Sequence, residues 1–345
     1  EARAGGMGDV GVATSADVNS QYWNPAKYLF TESDAGLSLS FTPWMRNLVS
    51  DIDLAYVAGY KRFGDNQAVS ASLRYFSLGK VTLTTIDGTN YNDVQPNEFS
   101  FDVAYSRLLS KKWSAAVALR FIYSDLSGGM VEDLFPGISV AADISAFYNT
   151  PITFATGDGN FGFGLNISNI GPKISYDNKE SSLFIPTNMR LGASFLYPID
   201  NYQTISISAD VNKLLVPTPP KQITGMSDDE YNALVDKYEK SSVISAIFNS
   251  FSDAPGGFQE ELQEIMWSVG VEYVYNKQFF VRGGYFNEHQ NKGNRKYFTA
   301  GVGFKMNVFT IDAGYVISLS PTNPLDKTLR FSLSFDLDGL KNLKK

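Results

Sequence analysis

The sequence predicts an all-β fold: a 14-stranded antiparallel transmembrane β-barrel with an N-terminal plug and a partly helical extracellular loop. Three observations carry this. Apolar and polar residues alternate with period two in segments of about ten to thirteen residues, which suits a strand with one greasy face. Those segments exceed the five or six residues of an average soluble strand. At a rise of about 3.3 Å per residue and a tilt near 40°, ten residues span roughly the 25 Å apolar band of an outer membrane. Charge, finally, sits almost wholly on one of the two faces.

The alternation begins at residue 35. Leu37, Leu39 and Phe41 alternate with Ser38 and Ser40. In 52–60, Ile52, Leu54, Tyr56, Ala58 and Tyr60 form the expected lipid face, with Asp53 opposite. Val69, Ala71, Leu73 and Tyr75 oppose Ser70, Ser72 and Arg74, and Phe99, Phe101, Val103 and Tyr105 oppose Ser100 and Asp102. Further segments follow at 113–123, 138–145, 161–168, 187–197, 203–212, 266–275, 278–287, 297–306, 308–318 and 328–337, about fourteen in all. A soluble sandwich also alternates, but its strands are shorter. The polar faces carry Asp53, Arg74, Asp102, Arg120, Asp143, Arg190, Asp210, Glu272, Arg282, Asp312 and Arg330, as a wet or ion-paired lumen requires. A lipid-facing Arg would cost about 2–4 kcal/mol at the bilayer midplane. Arg107 alone continues an outward row, at a strand end where it can snorkel to headgroups.

Connections alternate in length. Short turns fall at 64–66, 110–112, 276–277 and around Asn307; longer connections occupy 79–96, 126–137, 170–186, 213–265, 288–296 and 319–327. The connection at 46–50 is short where a long one is expected. Outer-membrane barrels keep periplasmic turns short and outer loops long, so both termini are expected in the periplasm. The expected organisation is a plug or hatch over 1–34, a barrel over 35–338 and a tail over 339–345.

Residues 1–30 lack the alternation. A floppy terminus seldom carries aromatics such as Tyr22, Trp23, Tyr28 and Phe30. A fourteen-stranded barrel encloses a lumen too wide for its own side chains, so this segment is expected to fold inward as a plug. Its expected key residues are Gly5, Gly6, Gly8, Trp23, Asn24, Pro25 and Ala26. Gly6-Met7-Gly8-Asp9-Val10-Gly11 matches the dinucleotide pattern only formally, because no strand precedes it.

Within 213–265, Pro217-Thr218-Pro219-Pro220 breaks the strand, and Ser227-Asp228-Asp229-Glu230 forms a capping box. Tyr231, Leu234, Val235 and Tyr238 recur at helical spacing, followed by Val243, Ile244, Ile247, Phe248 and Phe251. Such a stripe either packs over the barrel mouth or docks another protein. Leu234, Tyr238, Ile244, Ile247, Phe248 and Phe251 are the candidate contacts.

Chemistry is sparse. There is no Cys and a single His, His289, which leaves no thiol chemistry and makes Ser–His catalysis or a His-based metal site improbable. No catalytic residue, metal ligand or cofactor is expected. The net charge of −7 argues against nucleic acid. Mean hydropathy is −0.14, as expected when only alternate residues meet lipid. The opening Glu1-Ala2-Arg3-Ala4-Gly5-Gly6 has no apolar run, so an exported protein is expected to have lost its signal already.

The plug and barrel together resemble the FadL-type outer-membrane proteins, with Asn24-Pro25-Ala26 in the place of their hatch signature. More specifically, Arg3-Ala4-Gly5-Gly6-Met7-Gly8-Asp9-Val10-Gly11 and Asn19-Ser20-Gln21-Tyr22-Trp23-Asn24-Pro25-Ala26-Lys27-Tyr28 resemble the PorV (LptO) family of Bacteroidetes type IX secretion. The resemblance implies an outer-membrane cargo shuttle set among lipid and lipopolysaccharide, with its loops at the cell surface. It further implies binding of cargo C-terminal domains at a translocon barrel (SprA/Sov) and delivery to a sortase complex of PorU and PorZ. The FadL-type likeness leaves open a channel for hydrophobic small molecules. The family's link to lipid A deacylation finds no supporting residues. The chain lacks a terminal aromatic, since Leu340-Lys341-Asn342-Leu343-Lys344-Lys345 follow the last strand.

Overall fold

The computed structural model describes residues 1–45, 51–84, 87–131, 133–177, 182–222, 225–320 and 323–342. The strands, in chain order, are β1 Ala35–Pro43, β2 Asp53–Phe63, β3 Gln67–Ser77, β4 Val81–Thr84, β5 Asn90–Val94, β6 Asn97–Leu108, β7 Trp113–Asp125 and β8 Gly137–Phe154. They continue as β9 Gly157–Ile170, β10 Asn188–Pro198, β11 Gln203–Leu214, β12 Met266–Tyr275, β13 Phe279–Asn287, β14 Lys296–Met306, β15 Phe309–Ser318 and β16 Leu329–Asp336. Fourteen of them close a barrel in which every neighbouring pair is antiparallel, and β1 meets β16 from Gly36↔Asp336 to Phe41↔Phe331. The fourteen segments read from the alternation are these fourteen strands. Closure pairs the backbone groups of every strand, the condition for crossing lipid.

The connection at 79–96 holds more than a loop. β4 and β5 pair as a separate two-stranded sheet, so β3 pairs directly with β6. The expected short connection at 46–50 lies outside the described residues.

Burial follows the alternation. Leu39, Phe101, Val117, Leu119, Ile138, Val140, Ile207 and Val281 are exposed on the outer wall, an apolar surface that only lipid can accept. Asp102, Asp143, Asp210, Glu272, Arg282, Asp312 and Arg330 are buried inside. Arg107 lies on the outer row, one residue from the end of β6, as expected.

β2 departs from the reading. Tyr56, Ala58 and Tyr60 are buried, and their strand-mates Ala55, Val57 and Gly59 pair with the exposed Phe41, Leu39 and Leu37. The aromatic row therefore faces the lumen, and Asp53 falls on the outward row at the rim. Both faces of β2 carry apolar residues, so the expected face was inverted. Tyr60 turns inward because it stacks on Tyr28 of the N-terminal segment, with centroids 4.5 Å apart.

Short turns close one rim at 64–66, 109–112, 155–156, 199–202, 276–278 and 307–308, while the long connections crowd the other. Asn276 and Lys277 both take positive φ, as a tight hairpin with right-twisted strands requires. The chain ends in a short helix at Leu337–Asn342, and the Asp338 carboxylate accepts from the backbone N–H groups of Asp34 and Ala35 at 2.6 and 3.1 Å. That contact ties the C-terminal end to the entry of β1.

Candidate functional site

The N-terminal segment fills the lumen. It forms α1 (Ala2–Gly5), α2 (Ser20–Trp23) and a 3-10 helix at Pro25–Phe30, and nearly every residue in those three turns is buried. Glu1 caps α1 by accepting from the Arg3 and Ala4 N–H groups at 2.7 and 2.9 Å.

Glycine makes the contact with the wall close. Gly270 faces Gly284 and Gly301 faces Gly314 in register across β12–β15, which leaves a strip without side chains. A Cβ at Gly6 would lie 2.9 Å from the Gly301 Cα, and one at Gly8 would lie 2.7 Å from the Tyr285 nitrogen. Gly8 also has φ +73°, a conformation that disfavours any side chain. Gly5 packs against the Arg330 side chain. Backbone thus lies on backbone, and Gly8 N–H donates to Thr299 Oγ1 at 2.7 Å.

The Asn24-Pro25-Ala26 step explains itself chemically. Asn24 is fully buried; its Nδ2 donates to the carbonyls of Val12 and Ala146 at 3.1 and 3.0 Å, and its Oδ1 caps the 3-10 helix through Ala26 N–H. Pro25 opens that helix, where its missing N–H is no loss. The freed carbonyls of Pro25 and Ala26 accept from Ser106 and Ser114 of the wall at 2.8 and 2.7 Å. Trp23 packs over Gly11, and its Nε1 donates to Glu1.

Ion pairs complete the attachment. Arg3 bridges Asp17 at 2.8 Å and Glu272 at 2.9 Å, and Glu272 also holds Arg282, which reaches Asp312. Asp9 pairs with Arg330 and accepts from Tyr297 at 2.6 Å. Asp210 accepts from the N–H groups of Gly11 and Val12 at 2.7 and 3.0 Å. Burial brings the Lys27 ammonium down to about 8, although its Nζ donates to the Gly11 carbonyl and Thr14 Oγ1. With each bond contributing about 1 kcal/mol net, the attachment is on the order of 10 kcal/mol, far beyond thermal energy. A loose tail does not fit.

On the long-connection side of the plug, Tyr22 lies between two wall arginines. The Arg74 guanidinium lies 4.4 Å and that of Arg190 5.0 Å from the Tyr22 ring centroid, and Arg190 Nη2 donates to the Tyr22 hydroxyl at 3.3 Å. Arg190, aided by Arg74, holds the Tyr22 phenol down to about 7. The expected plug residues did not include Tyr22; the sequence signal was two inward-row arginines whose directly paired residues, Tyr56 and Ser100 for Arg74 and Asn166 and Asn212 for Arg190, are uncharged.

The insert follows the expected helices only in part. α3 (Asp228–Lys240) carries the capping box, but none of its residues is buried; Leu234 is exposed, and Tyr238 leans on Phe184 at 5.5 Å. In α4 (Val243–Asn249) the apolar stripe does not pack down. Ala246 and Ser250 are the buried side, Ile247 is half-buried, and Ile244 and Phe248 are 68% and 71% exposed, with Phe251 also exposed. The narrow side packs because small residues allow close approach, which turns the bulky side outward. α5 (Phe258–Gln263) also leaves Phe258 and Leu262 exposed. Lys213 clamps its end through Glu261 and Glu264 at 2.9 and 2.7 Å, and Lys292 holds Glu260 and Glu264 at 2.6 and 2.9 Å.

Among the described residues no group of His, Cys, Asp and Glu is arranged to hold a metal ion. A closed, lipid-girdled cylinder with a fixed internal plug and long connections on one rim defines an outer-membrane β-barrel of the plugged kind. Residues 1–221 match the family model described as type IX secretion system protein PorV, and the chain belongs to that family. Among solved structures it is similar to the toluene transporter TodX of Pseudomonas putida, with 10% identity, 96% of each chain covered and a TM-score of 0.56. It is also similar to the monoaromatic hydrocarbon channel CymD, with 11% identity, 97% of this chain and 96% of that chain covered and a TM-score of 0.51. At such identity the likeness shows the fold, a FadL-like barrel. No curated protein sequence matches.

Proposed function

We propose that this outer-membrane component of type IX secretion acts as a cargo shuttle. In this reading it binds secreted proteins through their C-terminal domains at the translocon barrel (SprA/Sov) and delivers them to the surface sortase complex of PorU and PorZ. It works by binding, without catalysis of its own, and its long connections face the cell exterior. The observation that carries the reading is the outward apolar face of Ile244 and Phe248 on a helix whose other side is already seated, with exposed Phe251 just past its end. A barrel alone has no use for that surface, and exposed apolar residues gathered on one face mark a contact site.

The test substitutes Ile244, Phe248 and Phe251 together by Ser. Because these side chains are exposed, the barrel is expected to fold unchanged. Cross-linking in intact cells is expected to lose at least tenfold of the translocon or cargo adduct. Undiminished adducts would remove this face from the mechanism.

The alternative, a channel for hydrophobic small molecules, has the barrel likeness in its favour. The plug's many wall attachments and the ion-paired lumen weigh against a free path.

A further inference from the structure

The β6–β7 hairpin gathers positive charge at the short-turn rim. Arg107, Lys111 and Lys112 fall close together, and no Asp or Glu occurs between Asp102 and Asp125, in a chain of net charge −7. All three side chains are exposed. Among the described residues no carboxylate lies within ion-pair distance of any of them. Arg107 sits on the lipid-facing row, opposite the uncharged Gln67 of β3 and Ala115 of β7. No other short turn concentrates cations in this way. The turn at 64–66 adds Asp65, which Arg62 approaches at 3.9 Å, and that at 199–202 adds Asp200.

A hollow opens beside these cations. The turns at 64–66 and 109–112 bound an open cavity of about 250 Å³ lined by Asn66, Arg107, Leu108, Leu109, Ser110 and Lys111. Its walls are fixed, because Leu108 N–H donates to the Asn66 carbonyl at 2.9 Å and Leu109 N–H to the Trp113 carbonyl at 2.8 Å. Ser110 Oγ accepts from the N–H groups of Lys112 and Trp113 at 3.3 and 3.2 Å, which leaves its O–H to donate. The Tyr105 hydroxyl donates to Gln67 Oε1 at 2.9 Å, which leaves the Gln67 amide nitrogen as a further donor opposite Arg107. Apolar surface borders the hollow, since Tyr105, Leu109 and Trp113 are all exposed.

We propose that Arg107, Lys111 and Ser110 bind the phosphate of an anionic phospholipid whose acyl chains lie along Tyr105, Leu109 and Trp113. A guanidinium fork suits two phosphate oxygens, and the lysine adds a point charge beside it. Cations gathered at a membrane boundary favour an anionic headgroup over a zwitterionic one, whose own ammonium would meet them. The apolar border selects a lipid over a free anion, because acyl methylenes gain by covering exposed Leu and aromatic surface. In outer-membrane barrels short turns lie on the periplasmic side, against the phospholipid leaflet. That placement rests on the orientation proposed above. The binding assay does not, so a failure to bind leaves the orientation standing.

The experiment uses the full chain in a non-ionic detergent and counts retained lipids by native mass spectrometry. The probes are dioleoyl phosphatidylglycerol and dioleoyl phosphatidylcholine at equal concentration, with inorganic phosphate as competitor. The parent is expected to retain phosphatidylglycerol at least about fivefold more than phosphatidylcholine. Arg107→Gln with Lys111→Gln is expected to lower phosphatidylglycerol retention at least about fivefold and to leave phosphatidylcholine unchanged. The barrel is expected to stay folded, since both side chains are exposed and unpaired, and its heat-dependent shift in a gel checks this. Lys277→Gln, which removes an exposed cation from another short turn, is expected to change nothing. Equal retention of the two lipids, undiminished retention in the double variant, an equal loss in Lys277→Gln, or full displacement of the lipid by millimolar inorganic phosphate overturns the proposal.

Discussion

At the scale of single residues, Gly8 and Tyr22 show how far a site's behaviour departs from its residue type. Gly8 combines a positive φ with a backbone neighbour where a Cβ would go. Gly8→Ala is therefore expected to destabilise the seated plug by about 1–3 kcal/mol. Limited trypsin digestion in detergent checks this, because the buried Lys27 becomes cleavable only when the plug lifts. Unaltered protection would show that the wall yields at Tyr285. For Tyr22 the two guanidiniums favour the phenolate, so the absorbance of one tyrosinate is expected to rise with a midpoint near pH 7 and to vanish in Tyr22→Phe. The sign for stability follows from the depressed value. An unfolded tyrosine titrates near pH 10, so the added stability is full above pH 10 and is lost as pH falls through about 7.

At the scale of elements, the plug and the wall strands β12–β15 are matched by omission of side chains. Gly284 sits under Met7, with no room for a Cβ. Gly284→Val keeps the strand, since β-branched residues suit sheets, but is expected to dislodge residues 1–11 while the barrel still resists unfolding at room temperature in a gel. Loss of the barrel itself would show that the plug is needed for closure. The insert shows the reverse principle. α4 seats its small residues and leaves its large ones in the open, an arrangement costly in water unless a partner covers it.

At the scale of the whole molecule, the plug decides whether the lumen conducts. The full chain is expected to conduct ions poorly in a planar bilayer, and removal of residues 1–31 is expected to open steady conductance through a fourteen-stranded lumen. Equal conductance in both would show that the segment does not obstruct the path. Continuous pairing around the wall, including β2–β3–β6, leaves the rim and the inserted helices as the surfaces outside the lipid belt.

Strand number, closure, the lipid belt and most of the charged lumen were legible because each is local: period two places every second residue on one surface, and charge cannot sit in lipid. Asn24-Pro25-Ala26 was legible only through its resemblance to a family signature; its capping chemistry, with Ala26 N–H donating to Asn24 Oδ1, came from the structure. β2 was not, because Tyr56, Ala58 and Tyr60 are apolar on a face that looks inward, and only the packing of Tyr28 tells which face wins. The hairpin β4–β5, the outward turn of Phe248 and the convergence of Arg74 and Arg190 on Tyr22 were likewise invisible. Each depends on groups far apart in the chain that meet only after the barrel closes. Periodicity determined the cylinder by itself; which contacts its interior and mouth make was decided by tertiary packing, because a one-dimensional pattern carries face and spacing but not partner.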